Sequence, residues 1–244
     1  MINILSSNAR SVSKAFNKAE RRAKEDNVAW LARNLPQDEE QSILVMVGGK
    51  SHTSFRLRIA QAHVRHDLLP SYWSHVMLLG KTGKNLGSTK VYEISVEPPH
   101  GFAYPPPENG IQEAKLSQYA NADDYPNVAV LSVPIALSEV LAAMDRFKKQ
   151  RAVLDAVDLI VRWLTFVWGV ARSGNPLLDG LGIPSAAMLE IVVGAAGFDL
   201  TPGLESRSSC PEAIWQAAKW WYEYYEGQDK PGLSGSFFTP HNIE

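Results

Sequence analysis

The sequence predicts an α+β fold, because its strand-like segments come early in the chain and its helical segments come late. Apolar runs with high β-propensity occupy residues 42–49, 74–80, 90–97 and 127–134. From residue 136 onward the apolar residues recur at helical spacing. A doubly wound parallel sheet would alternate strands with helices along the chain. We therefore expect a small antiparallel sheet packed against helices.

The first part of the chain is predicted to be a helical arm. Residues 8–34 are rich in Lys, Arg, Glu and Ala, and their apolar residues recur at the spacing of a surface helix. The polar segment PQDEEQ interrupts this pattern. We therefore assign residues 1–40 to an N-terminal helical arm and residues 41–244 to one domain. Within that domain, residues 54–66 return to helical spacing.

The strand-like segments suggest one hairpin and two further strands. SHVMLLG and KVYEISVE are joined by KTGKNLGST, a loop with two glycines that is typical of a hairpin connection. The apolar segment SILVMVGG predicts a buried strand before the hairpin, and NVAVLSVP predicts another after it. Between them, PPHGFAYPPPENG contains too many prolines for a regular element, so we expect a surface loop there.

The second half of the chain is predicted to be helical, with short helices near residues 184–195 and 211–226. Residues 135–205 then form a helical insert before the last helix. That helix carries aromatic residues around most of its circumference, so either the insert or a protein partner is expected to cover it. The aromatic residues are Trp215, Trp220, Trp221, Tyr222, Tyr224 and Tyr225.

Composition and charge restrict the possible partners. The chain has 244 residues, of which 45% are hydrophobic and 20% charged, and its formal net charge is −2. That balance is ordinary for a globular protein and gives no general attraction to nucleic acid or anionic membranes. The N-terminal residues lack the apolar segment of a secretory signal. The most apolar stretch, residues 157–171, is too short to span a bilayer. We expect a cytoplasmic protein without an integral membrane segment, and export without a cleavable signal stays open.

Cys210 is the only cysteine, and it directly precedes a proline. Pro211 suits the first position of a helix, which places Cys210 at or beside the N-cap. The helix dipole there lowers the pKa of a thiol and favours the reactive thiolate. A core role is the alternative, because unreactive cysteines are among the most buried residues. Taken alone, Cys210 favours the core role. Since one cysteine excludes an internal disulfide, the fold does not require an oxidising compartment.

A nucleophilic thiol needs a base, and His75 with Glu93 could provide one. His75 begins the first strand of the predicted hairpin, and Glu93 lies in the returning strand. Side chains alternate between the two faces of a sheet. If the register pairs odd-numbered residues with odd-numbered residues, Glu93 lies across or diagonal from His75 on one face. A shift by one residue would place them on opposite faces.

Three short segments of the chain resemble a known family. WSHVMLLGKTGKNLGSTKVYEIS and SSCPEAIWQAA are similar to the His and Cys segments of permuted papain-like hydrolases, a branch of the NlpC/P60 superfamily that includes lecithin:retinol acyltransferase-like proteins. In that branch the His strand precedes the Cys helix, as it does here. The resemblance covers residues 43–49, 73–95 and 208–219. The first of these segments lacks the Gly-Asp pair that usually opens the domain.

The resemblance implies a circularly permuted papain-like fold with a helical insert before the Cys helix. It also implies that Cys210 is the nucleophile, that His75 is the general base and later the acid, and that Glu93 orients the imidazole. The expected activity is a cysteine hydrolase that cleaves a peptide or isopeptide amide bond through an acyl-enzyme. The alternatives are an acyltransferase on the same residues and a non-catalytic interaction protein on the same fold.

No metal or organic cofactor is expected. His63 and His66 stand three residues apart and could hold a metal with Asp67, but no second cluster of ligands supports such a site. The expected ligand is therefore a peptide or another acyl or amide substrate.

Overall fold

The computed structural model describes residues 16–36, 41–97, 104–225 and 233–240. Within these residues the chain forms one seven-stranded sheet with helices on both faces. The strands are β1 (Phe16–Lys18), β2 (Ser42–Gly48), β3 (His75–Leu79), β4 (Lys90–Glu93), β5 (Gln112–Lys115), β6 (Asn127–Val133) and β7 (Ser234–Phe238). The helices are α1 (Asn27–Asn34), α2 (His52–Ala60), α3 (Leu137–Phe147), α4 (Ala156–Val167), α5 (Pro184–Ala195) and α6 (Pro211–Tyr225).

The sheet has the strand order β1-β7-β6-β2-β3-β4-β5. Strand β2 lies at its centre and pairs antiparallel with both β6 and β3. The pair of β1 with β7 is parallel, which makes the sheet mixed. The α+β class is confirmed, as is the hairpin of β3 with β4.

Both faces of the sheet are covered, which explains why its central strands are continuous apolar runs. On one face, Leu44 and Met46 of β2 pack in a cluster with residues of α3, α5 and α6. On the other face, Val45 and Val47 pack in a cluster with residues of α1. The alternation of side chains along β2 therefore divides the core into two layers.

The N-terminal region differs from the predicted long helix. Residues 8–15 lie outside the described part of the chain, and residues 16–18 form strand β1. The helix begins only at Asn27, because the Asp26 side chain accepts a hydrogen bond from the Ala29 N–H and caps it. Trp30 of this helix is fully buried. The described part of residues 1–40 therefore completes the sheet and its core.

The predicted insert also belongs to the core. Helices α3 and α5 pack on the face that α6 covers, and Met188 and Leu189 of α5 are fully buried. Strands β1, β5 and β7 were missed because they are short and their side chains show no apolar alternation.

One segment, Val170–Ala195, is long and apolar enough to cross a membrane by length and composition. Within it, Ala171 and Gly180 adopt left-handed conformations, so α5 is only its last part. Its most apolar window is 67% buried inside the fold. Core helices of globular proteins have the same properties, so this segment is weak evidence for a membrane span.

Candidate functional site

A cavity of about 690 Å³ opens where β3 begins and β4 ends. We call it the histidine cavity. Its polar wall contains Ser74, His75, Glu93 and Tyr119, and its apolar wall includes Leu57, Ile94, Val96 and Ile183. Thr53 and Ser54, at the start of α2, also line it.

His75 and Glu93 form a hydrogen-bonded pair in this cavity. The register of β3 with β4 pairs Leu79 with Val91, so odd-numbered residues oppose odd-numbered residues, which is the one of the two possible registers that places His75 and Glu93 on one face. His75 Nε2 lies 2.7 Å from Glu93 Oε2. The side chain of His75 is 12% exposed and that of Glu93 is 1% exposed. The carboxylate is therefore held inside the fold while the imidazole reaches the cavity.

Tyr119 completes the arrangement, and no pattern in the sequence pointed to it. Its hydroxyl donates a hydrogen bond of 2.7 Å to the same Glu93 oxygen. Its ring stacks on the His75 imidazole with 5.9 Å between ring centroids. Burial raises the pKa of Tyr119 well above its usual value, and the negative charge of Glu93 adds to this. Tyr119 thus stays a hydrogen-bond donor and holds the Glu93 carboxylate in place.

This geometry leaves one imidazole nitrogen for chemistry. When Nε2–H of His75 donates to Glu93, Nδ1 carries the lone pair of the neutral ring. Among the described residues, Nδ1 makes no hydrogen bond. A neutral imidazole oriented by a buried carboxylate can accept a proton from a nucleophile and return it to a leaving group.

Cys210 occupies the predicted position in the chain. Helix α6 begins at Pro211, and the Cys210 carbonyl accepts the hydrogen bond of the Ile214 N–H at 3.1 Å. Its environment differs from the prediction, because Cys210 is 1% exposed and belongs to an apolar cluster with Leu57, Val96, Trp163 and Ile183.

The expected lowering of the thiol pKa is wrong for this environment. Burial raises the pKa of Cys210 to about 12, although the Ala213 and Glu212 backbone N–H groups act in the opposite direction. Desolvation of the thiolate therefore outweighs the helix terminus. At neutral pH the thiol is protonated.

The structure thus brings His75 and Glu93 together and keeps Cys210 apart from them. Cys210 does not line the histidine cavity, and the described residues contain no hydrogen bond between its thiol and His75. Leu57, Val96 and Ile183 belong both to the cavity wall and to the apolar cluster of Cys210. These three side chains are therefore shared by the cavity wall and the cluster that contains the thiol.

The sequence predicted that the start of α6 would lie beside His75. In the structure, the start of α5 lies beside the histidine cavity instead. Ile183, which precedes α5, lines the cavity. The Ser185 hydroxyl donates to the Val76 carbonyl at 2.5 Å and accepts from the Ile94 N–H at 3.4 Å. These bonds attach α5 to β3 and β4 beside the His75–Glu93 pair.

The two helix starts lie side by side. The Ile183 N–H donates to the Ser209 carbonyl at 2.9 Å. Both helices begin with an apolar or weakly polar residue followed by proline, Ile183–Pro184 and Cys210–Pro211. The local sequence therefore could not tell which start would face the imidazole.

The possible metal ligands are used otherwise. The Asp67 carboxylate forms an ion pair with Arg65, which lowers the pKa of Asp67 far below its usual range. Within the described ranges, no group of three or more His, Cys, Asp or Glu side chains could hold a metal ion.

Comparison with known proteins gave no guide to this site. No family model, no curated protein and no solved structure matches the chain.

Proposed function

We propose that the protein is a hydrolase that cleaves an amide bond, with His75 as general base and Glu93 as the residue that orients it. The observation that supports this most is the Tyr119–Glu93–His75 chain of hydrogen bonds at the wall of the histidine cavity. A base of this kind needs a fixed ring, an available nitrogen and room for a substrate. All three are features of this cavity.

In the proposed reaction, a nucleophile attacks the carbonyl carbon and His75 Nδ1 accepts its proton. Glu93 stabilises the imidazolium that forms, and the buried Tyr119 hydroxyl keeps the carboxylate in place. When the carbon–nitrogen bond breaks, His75 returns the proton to the leaving amine. This sequence contributes the 10²- to 10⁴-fold acceleration that is typical of general acid–base catalysis.

Cys210 is the nucleophile that the family resemblance implies. In the described conformation its thiol is protonated and buried, and we infer that Leu57, Val96 and Ile183, which belong to its cluster and to the cavity wall, separate it from the cavity. Attack by Cys210 therefore requires these side chains to move apart, and would then give a thioester that water hydrolyses or that another acceptor takes over. Attack by a water molecule bound at His75 Nδ1 requires no such opening.

The permuted papain-like fold is part of the same proposal. The order of a His strand, a Glu strand and a later helix that begins directly after Cys210 agrees with that family. The hydrogen bond between His75 and Glu93 also agrees with the roles that the resemblance implies.

The second candidate is a non-catalytic protein that binds a ligand or a partner on this fold. The burial of Cys210 favours it, because a base and its nucleophile must approach to hydrogen-bond distance. Trp220 and Tyr224 on α6 are about half exposed and could contribute to such an interaction.

Hydrolysis of a panel of coumarin-linked peptide amides and of p-nitrophenyl acetate by three variants separates these possibilities. The variants are His75→Ala, Cys210→Ala and the control His63→Ala, which alters a histidine on the exposed surface. Loss of activity in His75→Ala alone supports attack by water, and loss in both His75→Ala and Cys210→Ala supports a thiol hydrolase. Activity that survives in His75→Ala, or none in the wild type, contradicts the proposal and favours the binding protein.

A further inference from the structure

A second cavity, of about 770 Å³, lies where β6 begins and β7 ends. We call it the basic cavity. It is next to the histidine cavity, since Tyr72 lines the basic cavity and Ser74 lines the other. Its wall is formed by the loop between β1 and α1, by α2, by the loop before β6 and by the end of β7.

Four cationic side chains line the basic cavity: Arg21, Lys24, Lys50 and Arg58. Among the described residues, none of these four forms an ion pair. Cations that face one cavity repel each other, and this repulsion is relieved when an anion binds between them.

The carboxylates in the wall are partly committed to other groups. Glu25 accepts two hydrogen bonds from Arg33, at 2.8 and 3.1 Å, and Arg33 lies outside the cavity wall. Asp26 uses one oxygen to cap α1. Asp123 is the third carboxylate in the wall. Four cations thus face three carboxylates, one of which is already paired with Arg33.

Arg21 is held in place with part of its donor set unused. Its Nη2 donates to the Asn27 side chain at 2.5 Å and to the Pro126 carbonyl at 3.4 Å. Its guanidinium lies over the Phe238 ring, 4.5 Å from the centroid. The Nε–H is buried and has no hydrogen-bond partner in the part of the chain that the structure describes. A buried donor without a partner costs free energy, which a ligand oxygen can recover.

Arg58 is also held in place by a hydrogen bond. Its Nε donates to the Ser71 carbonyl at 2.6 Å, and its two terminal nitrogens make no hydrogen bond within the described residues. Burial lowers the pKa of both Arg58 and Arg21, and nearby Arg65 lowers that of Arg58 further. Glu25, Asp26 and Asp123 oppose this lowering at Arg21, whereas no carboxylate does so at Arg58 within the described residues.

We propose that the basic cavity binds a small multivalent anion that carries phosphate or carboxylate groups. Arginine recognises both through paired hydrogen bonds from its planar guanidinium, and the two lysines add charge without strict geometry. Arg21 and Arg58 provide the fixed contacts. Lys50, which is exposed at the rim, provides charge and little structural support.

Isothermal titration calorimetry with inorganic pyrophosphate and with citrate tests this proposal at constant ionic strength. We expect the wild type to bind one equivalent with a Kd below about 1 mM. Tighter binding of pyrophosphate identifies phosphate as the preferred group, and tighter binding of citrate identifies carboxylate. Arg21→Gln and Lys50→Gln should each weaken binding by at least about ten-fold, as expected when a charged contact is lost.

Arg162→Gln is the matched control, because it removes an exposed arginine of α4 that pairs with Asp158. Its affinity should equal that of the wild type. Lys50→Gln keeps the proposal falsifiable if Arg21→Gln does not fold, since Lys50 is exposed. Absence of binding by the wild type, or equal binding by Lys50→Gln, overturns the proposal. The measurement involves no hydrolysis, so its failure leaves the proposed activity unaffected.

Discussion

The His75–Glu93 pair and Cys210 were predicted as parts of one site, yet the structure gives them opposite environments. The pair lies in the wall of an open cavity, and three polar side chains satisfy one another there. Cys210 lies in an apolar cluster with burial that raises its pKa to about 12. The His75–Glu93 pair forms its hydrogen bonds without the Cys210 thiol. The thiol packs among apolar side chains and takes no part in those hydrogen bonds.

This difference shows that the start of a helix does not by itself make a thiol reactive. The helix dipole and two backbone N–H groups favour the thiolate of Cys210, but the loss of water outweighs them. Reactivity depends on which helix start faces water, and here the start of α5 is closer to the cavity. The following experiments test whether the two environments are truly separate.

The largest expected effect concerns alkylation of Cys210 by iodoacetamide. A thiol with a pKa near 12 carries about a thousand-fold less thiolate at pH 8 than a free thiol with a pKa near 8.5. Native protein should therefore react at least about a thousand-fold more slowly than protein unfolded in guanidinium. Mass spectrometry measures the rate at this single thiol. A fast reaction below pH 7 that disappears in His75→Ala would show that Cys210 and His75 form one site.

Shortening of Leu57 should give water and reagents access to Cys210 from the histidine cavity. Leu57→Ala shortens a side chain that belongs both to the cavity wall and to the Cys210 cluster, and should destabilise the fold by about 2–5 kcal/mol. We expect alkylation of Cys210 to accelerate at least about ten-fold, since water and reagent gain access. Val140→Ala, in a different cluster, is the control for destabilisation alone. Equal acceleration in both variants would show that Leu57 does not separate the Cys210 thiol from the histidine cavity.

Replacement of the buried carboxylate tests the polar region by itself. Glu93→Gln removes the charge that accepts hydrogen bonds from His75 and Tyr119, so we expect a loss of about 2–3 kcal/mol in the free energy of unfolding. Guanidinium titration followed by circular dichroism measures it. Glu113→Gln alters an exposed partner of Lys90 and should change stability by less than about 1 kcal/mol. A similar small change in Glu93→Gln would show that the pair is not structurally coupled.

Alkaline pH should destabilise the thiol region. The raised pKa of Cys210 means that the unfolded chain releases the thiol proton first, so stability falls as pH rises from about 8.5 toward 12. At pH 10 this amounts to about 2 kcal/mol relative to neutral pH. Cys210→Ala should lack this contribution, because other titrating groups are common to both proteins. Parallel pH profiles for wild type and variant would indicate an accessible thiol.

The smallest effect is expected for Tyr119→Phe. The substitution removes one hydrogen bond to Glu93 and leaves the stacked ring in place, so stability should fall by about 1–2 kcal/mol. Tyr125→Phe is a suitable control, since Tyr125 also lines the cavity and its ring contacts Tyr119. If Tyr119 positions the carboxylate, Tyr119→Phe should also lower kcat of the proposed reaction and leave KM nearly unchanged, whereas Tyr125→Phe should not.

The sequence predicted those parts of the molecule that depend on local pattern. Four apolar segments became β2, β3, β4 and β6, whereas the hairpin register was left open between two alternatives until the pairing was known. Pro211 correctly marked the start of α6. Strands β1, β5 and β7 carry no apolar alternation, so they could not be recognised locally.

The remaining features depend on contacts between distant residues. Tyr119 reaches Glu93 from a segment 26 residues further along the chain, and a single tyrosine in a short turn carries no periodic signal. Desolvation of Cys210 arises from Leu57, Trp163 and Ile183, which come from three separate segments. Both effects become visible only when the packing is known.

The pairing of β1 with β7 has a consequence for synthesis on the ribosome. Phe16 lies opposite Gly235, so the second strand of this parallel pair is among the last described residues to be made. Until β7 emerges, β6 presents an open edge beside the sheet centre, and such edges promote pairing with other chains. Long-range pairing of this kind also slows folding. The nascent chain can therefore complete the described sheet only after β7 has emerged.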